Sequence, residues 1–355
     1  MKKRWALALP VVLAAGTVLG ACGKGAGSNS SDFHIGMVTD QGGIDDKSFN
    51  QSAWEGIEKY GKDHDMKKGT DFKYIQSTSQ SEFEPNLSKF VDADYDLTYG
   101  IGFYLEDAIQ QMAEENPKSR FALVDSLLLD KNSKPVFLDN VVNITFREEQ
   151  GSFLMGVIAA KQTKTNKVGF VGGANSPLIK KFENGFKAGV KAANPKVEVY
   201  SQYAGSFNEA DKGSTIASAM YDKGADVIYT AAGGTGNGVF TEAKNRKKKG
   251  QDVWVIGVDR DQYQEGMPEN VTLTSMVKRV DVATYDISKR TEKGNFPGGK
   301  EIVYGLKENA IGLAPTKKNL SKEELAVVDE WKKKISDGEV SVPKTDDEFA
   351  SFSVK

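Results

Sequence analysis

From residue 33 onward the chain repeats one pattern: a short apolar run, a turn carrying Gly or Asp, then an amphipathic segment of helix length. Short apolar runs alternating with helical segments predict parallel strands joined by crossover helices, the α/β class. The expected strands of the first half are Phe33 to Thr39, Asp71 to Gln76, Asp96 to Gly100, Arg120 to Val124 and Val136 to Val142, with helices such as Asn50 to Lys62 and Leu105 to Glu115 between them. The cycle then starts again with Lys167 to Val171, Val197 to Tyr203, Asp226 to Thr230 and Val253 to Val258. Two starts predict two Rossmann-like lobes, and 355 residues exceed what one hydrophobic core usually serves. The small-residue segment Gly151 to Ala160 is the expected crossing between lobes. A second crossing is expected near Leu273 to Lys278, where strand Thr272 to Met276 runs into helix Val280 to Glu292. These crossings assign 32–165 plus 277–297 to an N-terminal lobe. They assign 166–276 plus 298–355, with a charged helix Lys322 to Ser336, to a C-terminal lobe across a multi-strand hinge.

The first residues carry an address. Lys2, Lys3 and Arg4 precede an apolar stretch over residues 5–21 that ends in Leu19-Gly20-Ala21-Cys22. That is the plan of a signal peptide over 1–21, and the stretch is short of the roughly 20 apolar residues a spanning helix needs. The run resembles a bacterial lipobox, which implies acylation of Cys22, with palmitate among the chains. A polar flexible tether over 22–31 would follow, and the protein would sit on the extracytoplasmic face of the cell membrane. An ordinary anchor helix with an incidental cysteine is the alternative.

Composition narrows the chemistry. Cys22 is the single cysteine, so no disulfide is expected, and His34 and His64 offer no Cys/His metal site. No cofactor is expected. With 47 basic against 49 acidic residues, nothing points to a nucleic-acid surface. The run Arg246-Lys247-Lys248-Lys249 closes an expected helix, where cations complement the helix dipole.

In open parallel sheets ligands lie outside the carboxyl ends of the strands, so residues just after each strand are the site candidates. After the first comes Asp40-Gln41-Gly42-Gly43-Ile44-Asp45-Asp46-Lys47-Ser48-Phe49-Asn50, the densest polar constellation in the chain. Asp45, Asp46 and Ser48 read as helix-capping residues. Asp40 and Phe49 read as functional, since a phenylalanine on a strand-to-helix loop gains little there unless something packs on its face. Other strands lead to Asp125, to Phe207 in Gly205-Ser206-Phe207-Asn208, to the turn around Gly234, to Asp259 and to Lys278. Two phenylalanines suit a planar ring, carboxylates suit amino, imino and hydroxyl donors, and glycine permits close backbone approach. The turn Gly233-Gly234-Thr235-Gly236-Asn237-Gly238 lacks the Lys-Ser or Lys-Thr of a P-loop, and no arginine cluster accompanies it, so the ligand reads as uncharged.

These residues resemble the basic membrane protein family of bacterial lipoproteins, whose best-understood members are purine-nucleoside receptors of ABC transporters. The resemblance rests on Asp40 to Gln51 with Trp54 to Gly56, supported by Phe121 to Asp125, Thr145 to Gly156, Gly205 to Asn208, Gly257 to Asp259 and Thr274 to Lys278 with Asp281. It implies a type I periplasmic-binding-protein fold with adenosine, guanosine or inosine in the interdomain cleft, an ABC permease as partner, and a monomer. Phe49 and Phe207 would stack on the purine, and Asp40, Asn50 and Asp125 would read its polar edge. Asp259 and Lys278 would hold the ribose hydroxyls beside the Gly234 backbone. Tyr203 and Trp54 are further cleft candidates, with core packing the ordinary role for Trp54.

Three other readings compete. A sugar or other small polar ligand in the same fold also uses aromatic stacking. A surface receptor or adhesin without a transport partner would leave the same sequence. A nucleoside hydrolase begins with a similar aspartate-rich turn, but here Val38 and Gln41 replace key residues and an extra residue separates Asp40 from Asp45. A calcium site needs six to eight converging oxygens, so that slip matters.

Overall fold

The first strand, Ile35-Gly36-Met37-Val38, is apolar throughout because it is covered on both faces, as parallel strands are. A computed structural model describes residues 33–353; the leader, Cys22 and the tether lie outside the described residues. The strands are β1 Ile35–Val38, β2 Phe72–Ile75, β3 Leu97–Ile101, β4 Phe121–Val124, β5 Val141–Phe146, β6 Lys167–Gly172, β7 Glu198–Tyr203, β8 Val227–Ala231, β9 Trp254–Asp259, β10 Thr272–Lys278, β11 Lys300–Tyr304 and β12 Ile311–Leu313. They form two six-stranded sheets, ordered β11-β5-β4-β3-β1-β2 and β12-β10-β9-β8-β6-β7. Pairing is parallel except where β12 runs against β10. In register, Ile35 stands between Phe72 and Leu97. Two α/β lobes of the same strand order result, the fold class expected.

Three differences from the expected boundaries have physical causes. The fifth strand begins at Val141 rather than Val136, because Pro135 and the Asp139-Asn140 turn hold the preceding residues in a loop. Gly151 to Ala160 is not a linker but the middle of a helix, Glu148–Gln162, buried on nearly every side. Its all-round apolar character comes from burial between elements. This helix lies against Pro177–Ala193, so closely that a Cβ at Gly156 would stand 2.1 Å from the Phe186 carbonyl, and one at Gly189 1.9 Å from that of Phe153. It therefore packs with the second lobe, and the chain crosses at Arg147.

The second crossing falls at Arg279, after which helix Val280–Glu292 packs on Phe49–Asp63 of the first lobe. There a Cβ at Gly56 would meet the Asp281 carbonyl at 2.1 Å. The third difference is β11. It pairs with β5, Lys300 opposite Val142 through Tyr304 opposite Phe146, so residues 298–355 do not all belong to the second lobe. The chain returns through 305–310 to β12. Helix Lys322–Ser336, opened by a Ser321–Glu324 capping box, then packs on the second lobe, with Trp331 edge-on to Phe153 at 5.1 Å. Three crossings make the hinge, and the carboxyl ends of both sheets face one cleft.

Candidate functional site

Between the lobes lies a cleft cavity walled by residues of both. Seven of the eight expected site residues line it: Asp40, Phe49, Asn50, Asp125, Phe207, Asp259 and Lys278. The eighth shifts by one position. Gly233, not Gly234, reaches the wall, because the left-handed residue of that turn is Gly233 at φ 54°.

The first-lobe wall is built from the loop after β1. Asp40 Oδ1 accepts from the Gly42 N–H at 2.8 Å and from Asn50 Nδ2 at 2.9 Å. Gly42 is required here, since a Cβ would stand 2.8 Å from Asn50 Nδ2. Asp46 accepts from the N–H groups of Ser48, Asn50 and Gln51 at 2.8, 2.9 and 3.1 Å, and so caps helix Phe49–Asp63. Asp45 is exposed. Ser48 departs from the capping expectation: its side chain makes no cap bond, and its hydroxyl donates across the cleft to Asp259 Oδ2 at 2.5 Å.

Asn50 Nδ2 is committed to both Asp40 and Asp46, which leaves Asn50 Oδ1 buried with no partner among the described residues. Burial pushes the Asp40 carboxyl up to about 7, against the pull of the Asn50 and Gly42 hydrogen bonds. Burial also raises Asp46.

At the far end of the cavity Asp125 and Asp259 occupy equivalent places, the ends of β4 and β9. Both are in the left-handed region, at φ 67° and 64°. Aspartate tolerates that conformation better than most side chains. Lys278, at the end of β10, donates to Asp125 Oδ2 and stands 3.7 Å from Asp259 Oδ1. Its ammonium also lies 4.5 Å from the centre of the Phe49 ring. Burial alone would lower the Lys278 pKa, but Asp125, Asp259 and Glu148 outweigh it and hold the amine protonated. Burial raises Asp259 to about 6 despite Lys278 and Ser48. Asp125 Oδ1 is buried with no partner among the described residues. Asp125 thus bonds Lys278, and its charge is also felt by Asp40.

The second-lobe wall is mostly apolar: Leu178, Ile179 and Phe182 from the helix after β6, Ala231 and Ala232 after β8, and Phe207 after β7. Phe207 fits because Gly173 lacks a Cβ, which would stand 2.2 Å from the ring. Across the cleft it meets Phe103 and Tyr104 edge-on at 6.2 and 6.1 Å. Phe103 and the Leu178–Phe182 face were not anticipated. Phe103 follows Gly102 directly after β3, so the strand-end rule reaches it. Leu178 and Phe182 sit at helical spacing, which reads as ordinary core. Tyr203 turns its hydroxyl to Glu183, and Trp54 packs in the core against Tyr74 at 4.9 Å. Neither lines the cleft.

The family described as Bmp, ABC transporter substrate-binding protein PnrA-like, matches residues 33–346. A "CD4+ T-cell-stimulating antigen" of Listeria innocua is 53% identical, with 97% of this chain and 99% of that protein covered. An "ABC transporter nucleoside-binding protein BmpA" of Lactococcus lactis is 42% identical over 97% of this chain and 99% of its own length. Among solved structures, a solute-binding protein of an ABC transporter system from Aeropyrum pernix superposes with a TM-score of 0.79 at 27% identity, covering 90% of this chain and 96% of that one.

Proposed function

Since this chain belongs to the Bmp family of PnrA-like ABC transporter substrate-binding proteins, we propose that the solute it captures is a purine nucleoside, adenosine, guanosine or inosine. A binding protein of this kind works outside the cytoplasm and hands a small ligand to a permease. The observation that carries the nucleoside reading is that one cavity brings together the Asp40–Asn50 acceptors, the Asp125–Lys278–Asp259 group and the rings of Phe49 and Phe207. Asn50 Oδ1 and the Asp40 carboxyl offer acceptors to a base edge. Asp125, Asp259 and Lys278 offer two carboxylates and an ammonium to adjacent hydroxyls. Phe49 and Phe207 supply faces for a flat ring. The name of the Lactococcus lactis relative agrees with this reading.

Asp46, in the aspartate-rich turn compared with that of the hydrolases, is occupied in capping a helix. In this reading capture proceeds by closure of the cleft, the ligand shifting the open and closed populations by its differential affinity for the two. Acylation at Cys22 would tether the protein beside the permease through residues 23–31.

Calorimetry of the full-length chain in detergent, with adenosine, guanosine, inosine, uridine and ribose, tests the reading. Purine nucleosides should bind at least about fivefold tighter than ribose, since stacking on one base contributes roughly 1 to 3 kcal/mol. Ribose binding as tightly as inosine would replace the nucleoside with a sugar. Release of free base from inosine would turn the protein into an enzyme.

A further inference from the structure

Asp259 is held from two sides by consecutive residues of the opposite lobe. Its carboxylate accepts from Ser48 Oγ at 2.5 Å. The backbone that leads into it is fixed by Gln262, whose buried carboxamide accepts from the Val258 N–H at 2.8 Å and donates to the Lys47 carbonyl at 2.9 Å. Lys47 at φ 61° and Asp259 at φ 64° both adopt the left-handed backbone that non-glycine residues rarely take. Among the described residues the Ser48 hydroxyl makes no hydrogen bond within its own lobe, so its bond exists only while the lobes meet. Two further bonds join the same loop to the second lobe, Asn237 Nδ2 to the Asp46 carbonyl and Asn208 Nδ2 to the Gln41 carbonyl, both at 3.1 Å. Neither touches Asp259.

We propose that Ser48 and Gln262 are positioning residues that complete the grip of Asp259 on the ligand only when the cleft is shut. Opening the lobes removes the Ser48 donor from the Asp259 carboxylate and releases the Gln262 amide from the Lys47 carbonyl, while Gln262 keeps its bond to Val258 within its own lobe. Closure and the hold on adjacent hydroxyls are then one event. Asn237 and Asn208 contribute to closure alone. The inference rests on the reading of Asp259 as the group that holds the ribose hydroxyls.

The test compares inosine with 2′,3′-dideoxyinosine, which keeps the base and lacks those hydroxyls, by calorimetry on the full chain. The readout is the ratio of the two affinities. Ser48→Ala removes one oxygen that its own lobe does not use, and it should lower the ratio about tenfold, the effect of one hydrogen bond to a charged group. Ser48→Thr keeps a hydroxyl and should keep the ratio. Gln262→Glu keeps the acceptor for Val258 but loses the donor to Lys47, and should lower the ratio in the same direction. Asn237→Ala should weaken both compounds alike and leave the ratio at its wild-type value. An unchanged ratio in Ser48→Ala, with thermal unfolding intact and both compounds still bound, overturns the positioning role while leaving the nucleoside reading in place. A wild-type protein that binds neither compound overturns both.

Discussion

The two lobes are the same α/β unit folded twice, with equivalent strands in equivalent order, yet they present a different balance of polar and apolar groups to the cleft. The first lobe lines it with Asp40, Asp46, Asn50 and Asp125, together with Phe49 and Phe103. The second lines it with Leu178, Ile179, Phe182, Phe207 and small residues, plus Asp259 and Lys278. The scaffold itself fixes one matched pair, Asp125 and Asp259, at the left-handed ends of β4 and β9. Divergence begins one strand further on, where β10 ends in Lys278 while β5 ends in Phe146. Lys278 then serves carboxylates of both lobes, the single cation lining the cavity among the described residues. A repeated fold thus supplies positions, and the side chains after each strand decide how much polarity and how much apolar surface each wall offers.

Removing Lys278 should disturb that balance most. Lys278→Met leaves Asp125 and Asp259 buried without their shared partner, a change that costs about 3–5 kcal/mol when one member of a buried pair is lost. Chemical denaturation should report that loss, and calorimetry should find nucleoside binding weakened beyond a hundredfold. A stable variant with normal binding would mean that the two walls do not depend on each other. Next comes the apolar wall. Phe207→Ala should weaken purine nucleosides by about 1 to 3 kcal/mol and ribose hardly at all. Equal losses for both ligands would place the ring outside the stacking site.

The acidic wall can be isolated by pH. Asp40 has its carboxyl raised from 3.8 to about 7, so between those values the folded state binds more protons than the unfolded chain. Its contribution therefore favours the ligand-free fold at low pH and is lost as pH rises from about 4 to about 7, at a slope of up to about 1.4 kcal/mol per pH unit. Asp259, raised to about 6, gives the second lobe a similar but narrower window. Thermal unfolding of ligand-free protein between pH 5 and 8 should show a shallower slope in Asp40→Asn than in the wild type. Glu148, raised to about 7 by burial, leaves a residual slope in that variant. The smallest effect concerns the corrected glycine. Gly233→Ala, at φ 54°, should cost about 1 kcal/mol in unfolding experiments, and Gly234→Ala less. The reverse order would restore Gly234 as the turn's special position.

Much of this was legible in the chain because strand ends are local. An apolar run followed by Asp40, Asp125 or Asp259 marks a position without any knowledge of the partner strand. What escaped was non-local or ambiguous. The bond between Ser48 and Asp259 joins residues 211 positions apart, and nothing near Ser48 distinguishes it from a helix cap. Helix Glu148–Gln162 was read as a crossing because burial on all sides removes the amphipathic period. Strand β11, five residues in a charged stretch, has half-exposed and exposed positions and so lacks the apolar run that reveals a central strand. Leu178 and Phe182 carry a helix's ordinary spacing, and only the cleft gives them a second face.

The central claim, that one ligand is read by carboxylates of the first lobe and held between rings of both, is tested most directly by a crystal structure with inosine bound. The account predicts the purine between Phe49 and Phe207, its polar edge at Asp40 and Asn50, and its ribose hydroxyls within hydrogen-bond distance of Asp259 and Lys278. A base stacked elsewhere, or a ribose lying against Asp40 with the base at Lys278, would contradict it.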